Sequence, residues 1–156
     1  MANDPRAEWM FEESFPGSYQ FTKYYGGDLS DPVATPLSTI GYAFRLTEAY
    51  LLQAEALCLK NGDLAKARLL LKTVMERAGI TNFSAIDAIN DANALHSEVV
   101  KETIKNFVGE NGTDFFALRR LPLAEIKVIQ PNVTSKAELI FPIPFAETRF
   151  NPALQK

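Results

Sequence analysis

The sequence predicts a mostly α-helical fold: a tetratricopeptide-like helical hairpin with further helices, a loop-rich N-terminal segment and an extended C-terminal tail. Three observations predict it. Residues 45–79, RLTEAYLLQAEALCLKNGDLAKARLLLKTVMERAG, repeat apolar side chains at three- and four-residue spacing, the period of one helical face. Asn61-Gly62-Asp63 interrupts that stretch with turn-forming residues. Residues 1–42 and 122–156, by contrast, are punctuated by glycine and proline. At 156 residues the chain is expected to form one domain. Within it, 1–42 would be an aromatic loop segment, 43–121 the helical core and 122–156 an irregular tail.

In the first helix of the hairpin, Leu46, Ala49, Tyr50, Gln53, Ala54 and Leu57 share a face, while Leu51, Leu52, Ala56 and Leu59 form a second apolar flank. Arg45, Glu48 and Glu55 leave only a narrow polar seam, so this helix is expected to lie inside. Gly62 is expected in the left-handed conformation, with Asp63 capping the next helix. That helix repeats Leu64, Ala67, Leu71, Val74 and Ala78 and ends at Gly79, and the small Ala54, Ala56, Ala65 and Ala67 permit close approach. One such hairpin cannot bury its own faces, and no second copy occurs at that period. Either the rest of the chain covers it or something outside the chain does.

Upstream stand Trp9, Phe11, Phe15, Tyr19, Phe21, Tyr24, Tyr25 and Tyr42 among Gly17, Gly26, Gly27, Pro32 and Pro36. Turns and a short hairpin over 19–24 are expected there, not a helix, with an exposed turn over 28–32 and Thr39 as a helix cap. Downstream, residues 80–91 read as a connector with a helical turn from Ser84. A third long helix is expected over 93–110, its stripe Leu95, Val99, Val100, Ile104, Phe107 and Val108, with Glu98, Lys101, Glu102 and Lys105 outside. Asn111-Gly112 ends it, and Thr113 starts a short helix carrying Phe115, Phe116, Leu118 and Leu121. Residues 138–141 are a candidate strand, Pro142 and Pro144 block a helix, and 145–154 allow one helical turn.

A net charge of −3 and a pI near 5.2 argue against nucleic-acid binding, which needs a basic surface. No stretch approaches the ~20 apolar residues of a membrane span, and MANDPRAEWM lacks the basic start and apolar run of a signal peptide. Cys58 is the single cysteine and is expected as a buried small hydrophobe. His96 is the single histidine, which excludes a metal site of paired imidazoles and leaves a structural or solvent-facing role. Glu48, Glu55, Glu102, Glu110 and Asp114 lie scattered among basic residues, as ordinary helix-surface pairing produces. No phosphate-binding glycine loop, nucleophile elbow or paired-cysteine motif occurs, so neither a catalytic residue nor a cofactor nor a metal is expected. The aromatic residues Trp9, Tyr24 and Tyr25 are the candidate binding residues. A flat ring packs against the apolar C–H face of a sugar. The same rings would also anchor a loop onto helices, and the sequence leaves both roles open.

Several phrases in order carry a resemblance. They are Arg45-Leu46-Thr47-Glu48-Ala49-Tyr50-Leu51-Leu52-Gln53-Ala54-Glu55-Ala56, then Met75-Glu76-Arg77-Ala78-Gly79, then Phe107-Val108-Gly109-Glu110 with Phe115-Phe116-Ala117-Leu118-Arg119-Arg120. Pro142-Ile143-Pro144, Glu147 and Asn151-Pro152-Ala153-Leu154-Gln155 complete the set, and Asp4-Pro5-Arg6 and Lys23-Tyr24 also fit. Together they resemble the SusD/RagB family, most closely its C-terminal portion. The resemblance implies a surface-exposed outer-membrane lipoprotein of Bacteroidetes-type bacteria. It also implies non-catalytic binding of polysaccharide or oligosaccharide for uptake, in partnership with a SusC-like TonB-dependent transporter. The family's signal and lipidated cysteine have no counterpart in this sequence, so a membrane link through a lipid anchor would lie outside it. Two departures stand out: Glu102-Thr103 where the family carries Glu-Arg, and Ala117 where an aspartate is common, which removes an expected partner of Arg119 or Arg120. The resemblance carries no ligand residue over. Two rivals remain: a helical-repeat protein-interaction module without sugar binding, and a glycosidase, which would need two carboxylates about 5–10 Å apart across a cleft.

Overall fold

The structure, a computed structural model, describes residues 4–23, 44–60, 62–151 and 153. It begins with a helical turn, α1 (Ala7–Met10), and a hairpin of β1 (Phe11–Phe15) and β2 (Ser18–Phe21). The hairpin pair α2 (Leu46–Leu59) and α3 (Leu64–Arg77) follows, then the turn α4 (Ser84–Asp87) and the long α5 (Ala92–Asn106). The chain continues through α6 (Thr113–Leu118), α7 (Leu123–Ile129), a 3-10 turn (Lys136–Leu139) and α8 (Phe145–Phe150). The fold is mostly α, as the sequence predicts. Thr39, Asn61, Tyr24, Tyr25, Tyr42 and the turn expected over 28–32 lie outside the described residues.

The corner between α2 and α3 forms for local reasons. Asp63 accepts a hydrogen bond from the Lys66 N–H at 2.9 Å, the predicted cap. Gly62, however, is not left-handed. A Cβ there would lie 3.2 Å from both Cδ2 and the carbonyl oxygen of Leu57, a tight approach that glycine relieves. Gly79 does take the left-handed conformation, at φ 85°. Its N–H donates to the Glu76 carbonyl and that of Ile80 donates to Met75, the paired bonds that close a helix over a left-handed residue.

The core is organised around α5. On one side Leu95, Val99 and Phe107 meet Leu51, Ala54 and Cys58 of α2, Ala67, Leu71 and Val74 of α3 and Ile86 of α4. On the other, Val100 packs with Ala117, Leu118, Leu121, Ile126 and Leu139. Ala54 and Ala67 are fully buried, as expected of small residues that let helix axes approach. With partners on both sides, α5 buries more than its predicted stripe: Ser97, Glu102 and Thr103 are buried too, so Glu102 does not face outward.

The expectation for α2 is corrected. Its buried face is Thr47, Leu51, Ala54, Glu55 and Cys58. Of the second flank only Leu51 is buried, while Leu52 and Leu59 are exposed; Leu46, expected on the first face, is exposed too, as is Leu69 of α3. Arg45 pairs with Glu110 and not with Glu48 one turn away. The N-terminal segment also differs from expectation. Residues 7–10 do form a helical turn, and the hairpin lies over 11–21, not 19–24, because Gly17 at φ 80° supplies the turn. In the tail, α7 appears where irregular structure was expected. The candidate strand over 138–141 is instead a 3-10 turn, held by the reciprocal Ser135–Glu138 capping box.

Candidate functional site

The N-terminal segment reaches its place through buried charge. Arg6 donates to Glu102 Oε1 at 2.6 Å and to Asp4 Oδ2 at 2.7 Å, and all three side chains are almost fully enclosed. Asn106 Nδ2 adds a 2.7 Å bond to Glu102. Burial alone would depress the Arg6 guanidinium, but its hydrogen bonds to Asp4 and Glu102 outweigh that, and its pKa is raised. The hydrogen bond from Arg6 likewise holds the Asp4 carboxyl below its ordinary range, against burial.

A second set of charges closes the end of α5. Lys23 Nζ donates to the carbonyls of Asn106 and Val108, at 2.9 and 3.2 Å, and Arg45 donates to Asn106 at 2.9 Å. Both cations also pair with Glu110. Helix carbonyls without an intrahelical partner carry partial negative charge, so cations settle there. Arg45 also lies over the Phe107 ring, 4.4 Å from its centroid. Burial lowers the Lys23 pKa in spite of Glu110.

These anchors frame a cleft of about 230 Å³. Met10, Val74 and Ala78 form its apolar part, and Arg6, Lys23, Arg45, Thr47, Arg77 and Asn106 line the rest. Met10 is buried, while Trp9, one residue before it, lines the cleft and stays 55% exposed. Of the three candidate binding residues, the structure therefore places Trp9 in a cleft wall; Tyr24 and Tyr25 lie outside the described residues. The basic lining was missed by sequence reasoning. Arg6 stands 96 residues from Glu102, and Lys23 83 from the Asn106 carbonyl, so no spacing rule links them.

A further polar cluster joins α2, α5 and the end of α6. Arg120 holds Glu55 with two bonds, 2.7 and 3.1 Å, and His96 Nε2 lies 3.1 Å from the same carboxylate. Arg120 thus finds Glu55 in place of the aspartate missing at position 117, and Glu102 finds Arg6 in place of an arginine at 103. Cys58 is buried, and burial pushes its thiol pKa up, with Glu55 adding to the shift. Among the described residues no group of His, Cys, Asp or Glu could hold a metal ion, and no helix is long and apolar enough to cross a membrane.

The mostly α-helical scaffold thus presents an exposed ring beside a donor-lined cleft. The model of the SusD family matches residues 12–156, and the chain belongs to that family. No curated protein and no solved structure matches it. The SusD family comprises surface glycan-binding, non-catalytic outer-membrane lipoproteins, and membership points to glycan binding at the outer membrane.

Proposed function

We propose that this chain is the C-terminal part, a single domain, of a non-catalytic glycan-capture protein at the bacterial outer membrane. It would hold a polysaccharide or oligosaccharide at the cell surface and pass it to a SusC-like TonB-dependent transporter. Family membership supplies the class of ligand. The observation that carries the reading in this chain is Trp9, half-exposed in the wall of a cleft whose other polar groups include four cationic donors. The ring offers a flat apolar surface to a sugar's C–H face, and the donors meet its oxygens. A ring that served only to anchor α1 would be enclosed; here Met10 does that work and is buried.

Trp9 is the single tryptophan, so its fluorescence reports on this cleft alone. Titration with a panel of soluble glycans is expected to give a saturable change with one class. Calorimetry should show that class losing at least ~10-fold in affinity in Trp9→Ala, about 1.4 kcal/mol, within the range of a lost aromatic contact. Strong binding untouched by Trp9→Ala would move the sugar site elsewhere, and no binding across the panel would leave the chain as scaffold.

One observation favours a second reading. Leu46, Leu52 and Leu59 of α2 and Leu69 of α3 are exposed, apolar surface that another protein could cover. The two readings use different faces. Glycan binding abolished at the cleft with the apolar face intact would separate them.

A further inference from the structure

We infer that the cleft beside Trp9 selects acidic saccharides, with the carboxylate of a uronic acid residue held by Arg77 and Arg45. The inference rests on the glycan-binding reading above and names the ligand class for that site. Its basis is how the charge is shared around the cleft. The lining includes Arg6, Lys23, Arg45 and Arg77 and, among the described residues, no carboxylate. Three of these cations have acidic partners. Arg6 faces the two carboxylates of Asp4 and Glu102, and Lys105 lies 3.9 Å from Asp4, so these two cations and two anions balance, with all but Arg6 outside the lining. Lys23 and Arg45 share the single carboxylate of Glu110. One positive charge is therefore left over between them. Arg77 adds a second, because among the described residues its bond is to a neutral hydroxyl, Thr47 Oγ1 at 3.2 Å.

The hydrogen-bond inventory points the same way. The Nε of Arg45 is buried and has no hydrogen-bond partner among the described residues, an arrangement that calls for an acceptor. A neutral sugar hydroxyl both donates and accepts, so the cationic donors that dominate this lining satisfy only its acceptor side. A carboxylate only accepts, and guanidinium groups match it with paired, charge-assisted bonds. The whole chain carries a net charge of −3, so general attraction of anions does not explain such binding. The preference has to arise locally, in a half-enclosed cleft where charges are poorly screened.

The test uses matched ligands: galacturonate and glucuronate oligosaccharides, and the same oligosaccharides after carboxyl reduction. Calorimetry with the purified chain is expected to show the carboxylated form binding about tenfold tighter, as one added charge-assisted contact gives. The difference is expected to shrink as salt rises, and to narrow in Arg77→Gln while largely surviving in Arg77→Lys. Circular dichroism of each variant checks that it folds. Equal affinity for both forms would overturn the inference and leave the glycan-binding reading standing. Binding of neither form would overturn the inference, and the glycan-binding reading falls with it only when the whole glycan panel gives no binding. A poly-glutamate peptide that bound as well as the uronates would also overturn it, since the cleft would then read charge and not sugar.

Discussion

Glu102 is the charged residue whose removal the fold should feel most. It is buried on α5 and takes hydrogen bonds from Arg6 and Asn106, so Glu102→Ala leaves the Arg6 guanidinium enclosed with only Asp4 to face it. Breaking a buried pair from one side costs about 3–5 kcal/mol, and the remaining Asp4 partner places this case at the lower end. The exposed Lys72–Asp87 pair is the control: Asp87→Ala should cost no more than about 1 kcal/mol. Urea denaturation of both variants checks the contrast. Asp4 gives the same network a pH dependence. Its folded pKa lies below the unfolded value, so its stabilising contribution is complete above the ordinary carboxylate pKa of about 3.9 and is lost as pH falls through the folded value. Melting temperature measured from pH 6 down to pH 3 should fall at the acid end, and Asp4→Asn should flatten part of that fall.

Among the elements, α2 has a face that counts and a face that does not, which neighbouring leucines can show. Leu51 is enclosed against α3 and α5, and Leu51→Ala should cost about 2–5 kcal/mol. Leu52, one residue on and 48% exposed, should tolerate Leu52→Ser within about 0.5 kcal/mol while making the chain more soluble. A large loss at Leu52 would mean that its flank is covered. Element by element, the sequence was legible where the signal is local. Asp63 and Gly79 bound α3 through bonds within four or five residues of themselves, and the α3 seam needs only its own period. Where the reading failed, a local rule had been applied on the wrong side. By sequence Pro122 marks the point where regular structure fades, yet it stands immediately before α7, where a missing N–H costs a helix nothing. Glu138 to Phe141 look like a strand by composition, but Ser135 and Glu138 cap each other and draw residues 136–139 into a 3-10 turn.

For the molecule as a whole, the hairpin α2–α3 carries the clearest periodicity, yet α5 is the central helix because, among the described residues, it alone contributes buried side chains to both core clusters. Periodicity shows that a helix has an apolar face, not which neighbours will cover it. The same limit hid most of the candidate site. Trp9 is visible as an aromatic residue in a glycine- and proline-rich segment, and its chemistry suggests a sugar surface. Arg6 and Lys23 reach Arg45 and Arg77 because the segment 4–23 folds onto the end of α5 beside α2 and α3, through bonds that span up to 96 residues. Family motifs identified the class of protein without identifying the cleft, since the matched phrases are largely scaffold. The central claim is that glycan binds against Trp9 in that cleft, and acrylamide quenching of Trp9 fluorescence tests it most directly. With saturating glycan the quenching slope should fall well below that of the free protein, because the ring, 55% exposed when free, becomes covered. A glycan that binds by calorimetry yet leaves the slope unchanged would contradict it.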